Sequence, residues 1–307
     1  MAIRCSKCKK KAVTFIRYNG TYLCREHFIN YVESRVKREI RRQRAGRRIK
    51  KIAVALSGGK DSSVTLYLIK KILHAEVYAI TINEGIRGYR NKTIEKAKSL
   101  CKELDVPIHV VSFKEEYGFD LDDINGLDKE KGVCTYCGIL RRSCLNRKAK
   151  ELGADFLATG HNLDDFSQSI LMNFVNADLE KLARLSPHGR IIQGLVPRIA
   201  PLRTIPEKET TLYAILQGID VSLEECPYAL SSRGKFREFI YNLEDAFPGT
   251  RHRILQSYER IKPYLLDIYH KHPLNKCISC GEPTSGEICM ACSLVNRAKN
   301  LLKNYRF

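Results

Sequence analysis

Four groups of residues in this sequence have the types and spacing that chemistry needs. Cys5 and Cys8 (CSKC) with Cys24 and His27 (CREH) offer three thiols and one imidazole in two close pairs. Cys277 and Cys280 (CISC) with Cys289 and Cys292 (CMAC) offer four thiols. Zn²⁺ takes four N/S ligands in a tetrahedron, and paired ligands on tight turns present two each. Both sets are full, so they are expected to be structural zinc sites that staple short segments. The third group is Cys134 and Cys137 (CTYC), while Cys101, Cys144 and Cys226 stand apart. The fourth is SGGKDS at residues 57–62.

SGGKDS lies between an apolar run, KIAVAL, and a helical pattern, SSVTLYLIKKIL. Gly58 and Gly59 let backbone N–H groups approach an anion, and the following helix adds its positive end. Ser57 and Ser62 can donate hydrogen bonds, and Lys60 can neutralise charge. A Walker A loop needs G-x-x-x-x-G-K-[ST]. Here Val54 stands at the first glycine and Asp61 at the Mg²⁺-binding hydroxyl. The pattern therefore argues against a kinase or motor ATPase, and for a phosphate loop that serves a different bond.

Short β-branched runs alternate with amphipathic helices from residue 51 onward. Strands are expected at 51–56, 75–82, 107–113 and 154–160, with helices at 62–73, 91–104, 139–153 and 163–175. That alternation predicts an α/β fold with a doubly wound parallel sheet. Ligands bind such sheets beyond the C-terminal strand ends, where SGGKDS, TINEG and GHNLDD would gather. Residues 115–130, EEYGFDLDDINGLDKE, read as a mobile acid-rich loop ahead of CTYC. Further helices are expected at 207–218, near 235–247 and at 250–271.

The chain has 53 Lys and Arg against 34 Asp and Glu, a net charge of +19. Such an excess suits a polyanionic partner, most simply nucleic acid, with a merely solvated basic surface as the bland alternative. From Arg35 to Lys51 there are ten basic residues and one acid, Glu39. This stretch reads as a basic helix with a thin apolar stripe, Val36 and Ile40, that packs lightly. There is no apolar run of about 18 residues, so no membrane span is expected. No secretory signal is visible, which makes a cytoplasmic location the default, and twelve cysteines there point to metals rather than disulfides.

SGGKDS matches the SGGxDS signature and resembles the PP-loop ATP-pyrophosphatase superfamily. CTYCGILRR (134–142), GHNLDD (160–165), EKET (207–210) and EECPY (224–228) resemble the tRNA 2-thiolation enzymes that carry two zinc fingers. The resemblance covers almost the whole chain. It implies a PP-loop (adenine nucleotide alpha hydrolase-like) catalytic domain at 51–272. An N-terminal zinc finger at 1–31, a basic linker helix at 32–50 and a C-terminal zinc finger at 273–307 would flank it.

The activity implied is an ATP-dependent tRNA uridine 2-sulfurtransferase. ATP breaks between its α- and β-phosphates, uridine O2 is adenylated, and sulfur replaces it. GLVPRIAPL, EECPY and GTRHRIL look more like the branch acting on 5-methyluridine 54; wobble uridine 34 is the alternative. By resemblance Cys134, Cys137 and Cys226 bind a 4Fe-4S cluster with one iron open. Metal-free persulfide chemistry by Cys134 and Cys226 remains the runner-up, and a closed zinc site using Cys144 the weakest option, since Cys144 reads as core.

The resemblance and the loop positions together nominate Ala55, Ser57, Gly58, Gly59, Lys60, Asp61, Ser62, Ile82, Arg141 and Gly160 for ATP. Lys60, Asp61, Asp165, Cys134 and Cys226 are nominated for catalysis, with Asp61 and Asp165 as candidates for Mg²⁺. His161 reads as a capping or packing residue, and Lys208 as a phosphate or RNA contact or a solvated charge. The implied partners are tRNA and a ubiquitin-like sulfur carrier with a C-terminal thiocarboxylate, with a homodimer open and no membrane. Two rivals remain. A PP-loop adenylating ligase of the lysidine synthetase kind has no use for the three cysteines, and an RNA-binding zinc module would not cleave ATP.

Overall fold

The computed structural model describes residues 3–187, 192–222, 224–228, 232–269 and 274–305. The expected boundary at 272/273 lies outside the described residues. A hairpin, β1 (Thr14–Ile16) and β2 (Thr21–Leu23), leads into helix α1 (Arg25–Gln43). Phe28, Val32, Val36 and Ile40 recur every four residues along α1, and each is 1% exposed or less. That makes one continuous apolar stripe, and each such side chain contributes about 1.5–3 kcal/mol on burial. The thin stripe and light packing expected for this helix are thus corrected. Its apolar face begins at Phe28, inside the first knuckle, and α1 crosses residues 31–32 without a break.

The central unit runs β3 (Lys51–Ala55), α2 (Lys60–Ile72), β4 (Glu76–Asn83), α3 (Arg90–Glu103) and β5 (Ile108–Ser112). It continues with α4 (Phe113–Tyr117), α5 (Leu121–Ile124), α6 (Val133–Glu151), β6 (Phe156–Ala158), α7 (Leu163–Val175), α8 (Leu179–Ala183) and β7 (Arg198–Ile199). Then come α9 (Glu207–Gln217), α10 (Ser232–Ala246), α11 (Thr250–Tyr269), the hairpin β8 (Asn275–Lys276) and β9 (Pro283–Thr284), and α12 (Met290–Tyr305). The five central strands pair in parallel in the order β5-β4-β3-β6-β7. The order reverses between β3 and β6, which places the crevice of a doubly wound sheet beyond these two strands.

The side chains of β3 alternate between two cores, as the strand period requires. Ile52 and Val54 join a cluster with residues of α1, α2, α3 and α9. Ala53 faces a second cluster with residues of α4, α5, α6 and α12. A third cluster joins α7, α8 and α11 through Leu163, Phe166, Leu182, Leu255 and Tyr258.

Two expectations are corrected here. Residues 115–130 carry α4 and α5 rather than a mobile loop, because Tyr117, Phe119, Leu121 and Ile124 among the acids are all buried. Helix α6 begins at Val133, not 139, so Cys134 and Cys137 ride its first turn instead of a loop. Among the described residues no helix is long and apolar enough to cross a membrane.

Candidate nucleotide and thiol site

The chain leaves β3 at the half-buried Ala55 and turns at Gly58, whose φ is +84°. A Cβ at Gly58 would lie 2.0 Å from the Thr93 carbonyl oxygen, so only glycine lets the loop sit against the first turn of α3. Gly59 caps α2. The Ser57 and Ser62 hydroxyls are 3.0 Å apart, and the Ser57 N–H donates to Ser62 Oγ at 3.1 Å. The first backbone N–H groups of a helix lack intrahelical partners, so the N-terminus of α2 presents an anion site.

Three other segments meet this loop. A Cβ at Gly160, after β6, would lie 2.7 Å from the Ser62 nitrogen, so GHNLDD packs directly on α2. The Ser222 N–H donates to the Gly58 carbonyl at 3.3 Å, four residues before Cys226. The Ile82 carbonyl, near the end of β4, accepts from Arg90.

Lys60 Nζ lies 3.0 Å from Glu207 Oε1 and 3.8 Å from Asp61 Oδ2. Glu207 also accepts from Arg237 at 2.8 Å and from the Tyr241 hydroxyl at 3.0 Å. Within EKET, the residue types point to Lys208, which is exposed; its neighbour Glu207 is the one that holds the loop lysine. The Glu207 N–H donates to Asp164 at 2.7 Å, and Asp164 forms a buried ion pair with Arg251.

Asp61 has one buried carboxylate oxygen with no hydrogen-bond partner. Burial pushes its pKa up to about 7; Asp165 and Glu207 add to the rise, and Lys60 and Asn162 oppose it. Asp165 is held by a capping box: it accepts from the Asn162 N–H, and Asn162 accepts from the Asp165 N–H, both at 3.0 Å. An orphaned carboxylate oxygen beside a second oriented carboxylate fits Mg²⁺, which takes one or two carboxylates plus substrate phosphates. His161 is exposed; its Nδ1 lies 3.0 Å from Thr159 Oγ1 and its ring meets Phe166 edge-on.

Cys134 and Cys137, three residues apart, share one side of α6. Cys134 is exposed and its Sγ donates to the Tyr228 carbonyl at 3.0 Å. Arg141 donates to Cys137 Sγ at 2.8 Å, and its Nε lies 3.0 Å from Glu84. The half-buried Cys226 packs with Cys137 and Tyr228 against the core under α6. Burial pushes the Cys137 thiol up and Arg141 pulls against it.

Among the described residues only the two terminal groups bring three or more ligand atoms within 4.8 Å of one another. The mid-chain thiols are spread wider than ligands of one ion, and a larger iron–sulfur group suits three such thiolates. Cys144 is turned into the core, 3.2 Å from the Tyr117 hydroxyl, and Cys101 is buried in the opposite cluster.

At the first knuckle His27 Nδ1 lies 3.5 Å from Cys5 Sγ and 3.3 Å from Cys24 Sγ, and the Cys8 and Cys24 sulfurs are 3.7 Å apart. Bonds of about 2.3 Å around one zinc give tetrahedral edges of roughly 3.8 Å, so the four groups fit that ion. At the second knuckle the Cys280 and Cys289 sulfurs are 3.6 Å apart. The Cys289 N–H donates to Cys277 Sγ and draws that thiol down to about 6, toward the thiolate a metal binds.

Comparison with known proteins agrees with this geometry. The PP-loop domain family matches residues 32–223, and the family described as 2-thiouridine synthetase TtuA, N-terminal LIM domain, matches residues 4–29. The tRNA 2-thiolation protein NcsA of Haloferax volcanii is 38% identical, over 95% of this chain and 98% of that protein. The tRNA-5-methyluridine(54) 2-sulfurtransferase of Pyrococcus horikoshii is 34% identical, over 97% and 96%. The structure of the U34-tRNA thiolase NcsA from Methanococcus maripaludis, with its 4Fe-4S cluster, superposes with a TM-score of 0.84 at 35% identity, covering 97% of each chain. The chain belongs to the PP-loop family of tRNA 2-thiolation enzymes.

Proposed function

We propose that this protein uses ATP to replace O2 of a tRNA uridine with sulfur, and that two adjoining residue sets divide the work. The observation that carries this is the Ser222–Gly58 hydrogen bond, which brings the segment bearing Cys226 to the mouth of the phosphate loop. SGGKDS and the N-terminus of α2 hold the departing pyrophosphate, Ala55 and Ile82 meet the adenosine through backbone and apolar contact, and Gly160 approaches the nucleotide phosphates or base. Lys60 exchanges its Glu207 partner for phosphate, and Asp61 and Asp165 hold Mg²⁺. Uridine O2 attacks the α-phosphorus, the α–β bridging P–O bond breaks, and pyrophosphate leaves with the electron pair. Sulfide then adds at C2, and AMP departs with the former O2. Arg141, between Cys137 and Glu84, faces both steps.

Cys134, Cys137 and Cys226 would hold the 4Fe-4S cluster. Bound there, it supplies an iron without a protein ligand, open to the sulfur donor. We further propose a ubiquitin-like carrier ending in a thiocarboxylate as that donor, and the cytoplasm as the place of work. A homodimer is supported by the exposed apolar stripe Ile261, Tyr264 and Ile268 on α11; a monomer by sedimentation would remove it.

The sequence segments 194–202, 224–228 and 249–255 favour 5-methyluridine 54 as the target. The full-length likeness to a U34 thiolase supports wobble uridine 34 as the alternative target. The test is nucleoside mass spectrometry of tRNA treated with anaerobically purified protein, ATP and sulfide. We expect 2-thiouridine or its 5-methyl form, together with AMP and pyrophosphate, and fragment mapping assigns the position. Such protein should carry about two zinc and about four iron per chain. Full activity in iron-free protein supplied with a sulfane-sulfur donor in place of sulfide would move the sulfur step to Cys134 and Cys226 as a persulfide and resolving pair, which ends as a disulfide.

A further inference from the structure

A line of polar contacts, buried at Arg90 and Glu84 and 42% exposed at Arg141, joins the phosphate loop to the thiol set. Arg90, opening α3, donates through Nη1 to the Ser57 carbonyl at 2.8 Å and to Thr93 Oγ1 at 2.7 Å. Its Nε lies 2.6 Å from Glu84 Oε2, just beyond β4. Glu84 Oε1 lies 3.0 Å from Arg141 Nε, and the far end of Arg141 donates to Cys137 Sγ. The side chains of both Arg90 and Glu84 are only 4% exposed, so solvent and salt screen this pair weakly.

A buried carboxylate needs one guanidinium for neutrality, yet Glu84 holds two. The second, Arg141, is the one that touches sulfur. The loop end of the line is also tight: the Thr93 carbonyl sits where a Gly58 side chain would be. Movement of Gly58 around a phosphate therefore presses on the first turn of α3, where Arg90 is anchored.

We propose that Glu84 and Arg90 are positioning residues that couple nucleotide binding at SGGKDS to the placement of Arg141 on Cys137. The coupling makes the thiol set respond to whether ATP is bound. This deepens the proposed thiolation and rests on it for its purpose, while the coupling itself is measurable without tRNA. Neither residue needs to touch a reactant, which separates them from the groups that do.

The test uses the full chain with zinc present and iron absent. The rate of Cys137 alkylation by iodoacetamide is followed by peptide mass spectrometry, with and without an α,β-methylene ATP analogue. The analogue should change the Cys137 rate by roughly five-fold or more. In Glu84→Gln the analogue should still bind while the rate ratio falls to near one. Simple shielding of Cys137 by nucleotide would survive that substitution, and so would overturn the proposal. So would a wild-type rate that ignores the analogue. If Glu84→Gln fails to fold, Arg90→Lys carries the same expectation. Coupling without thiolation would sink the proposed function alone; thiolation without coupling would sink this proposal alone.

Discussion

The two zinc knuckles use similar ligand chemistry but are built into opposite faces of the sheet. Cys5, Cys24, Ile16 and Leu23 of the first share a buried cluster with Ile52 and Val54 of β3 and with the phosphate-loop helix α2. From its hairpin turn, the Tyr18 hydroxyl donates to Glu209 on α9 at 2.7 Å, and Arg35 joins Tyr18, Tyr31 and His252. The second knuckle docks from outside. Its helix α12 gives Leu294 and Ala298 to the other cluster, and Arg297 grips Asp128 at 2.5 and 2.9 Å. Asp128 also accepts from the hydroxyl of Tyr136, the residue between Cys134 and Cys137, at 2.7 Å. The first knuckle is thus part of the core on the nucleotide side, while the second is a clamp on the thiol-bearing helix.

The largest expected effect breaks the two knuckles one at a time. A structural zinc site contributes about 10–16 kcal/mol, as much as a whole domain's usual margin. Cys24→Ala should therefore yield no cooperatively folded protein by circular dichroism. Cys280→Ser, at the more exposed knuckle, should leave a folded protein that still converts ATP to AMP but has a loosened α12. Equal loss of ATP cleavage in both variants would erase the distinction. Next, Phe28→Ala should cost about 3–5 kcal/mol in denaturant unfolding. Leu294→Ala should free α12, read by proteolysis, with nucleotide binding unchanged.

Two aspartates carry the contrast into pH dependence with opposite signs. Arg297 above all, then Tyr136 and two backbone N–H groups, hold Asp128 well below the usual carboxylate range against its burial. Its contribution to stability is present at neutral pH and is lost only as pH falls below the unfolded value of about 3.9. Asp61 is raised to about 7. Its protonated form favours the fold, and that contribution fades as pH rises from about 3.9 toward 7. Mg²⁺ needs the ionised form, so Mg²⁺ affinity should climb with pH up to about 7 and then level off. Asp61→Asn should flatten that climb in a titration monitored by calorimetry, and an unchanged slope would assign the titration elsewhere.

The smallest effect concerns the outer surface of α1. Lys37, Arg38 and Arg41 are exposed, whereas Arg42 is paired with Glu39 and Glu259. Alanine at the first three should weaken tRNA binding and lower the salt slope by about 0.7–0.9 for each phosphate no longer neutralised. An unchanged slope would make this face merely solvated.

What is legible in the sequence is local. The knuckle pairs, SGGKDS and the helix at 163–175 each follow from residues near one another in the chain. β7 is two residues long, too short to show a period, and only pairing with β6 makes it a strand. The start of α6 is hidden because CTYC carries no apolar period, and its order comes from Tyr136 bonding to Asp128. Glu84, Arg90 and Glu207 are ordinary charged residues in sequence. Glu84 and Arg90 pair across six positions, but Arg90 reaches Ser57 33 positions away and Glu207 reaches Lys60 147 positions away, relations that no single window contains.

The division between nucleotide and thiol sets is tested most directly with Cys226→Ser protein, labelled ATP and tRNA. Adenylated tRNA, AMP and pyrophosphate should form, with no 2-thiouridine in the digested product. ADP as the product, or no adenylation by a well-folded Cys226→Ser protein, would contradict the account.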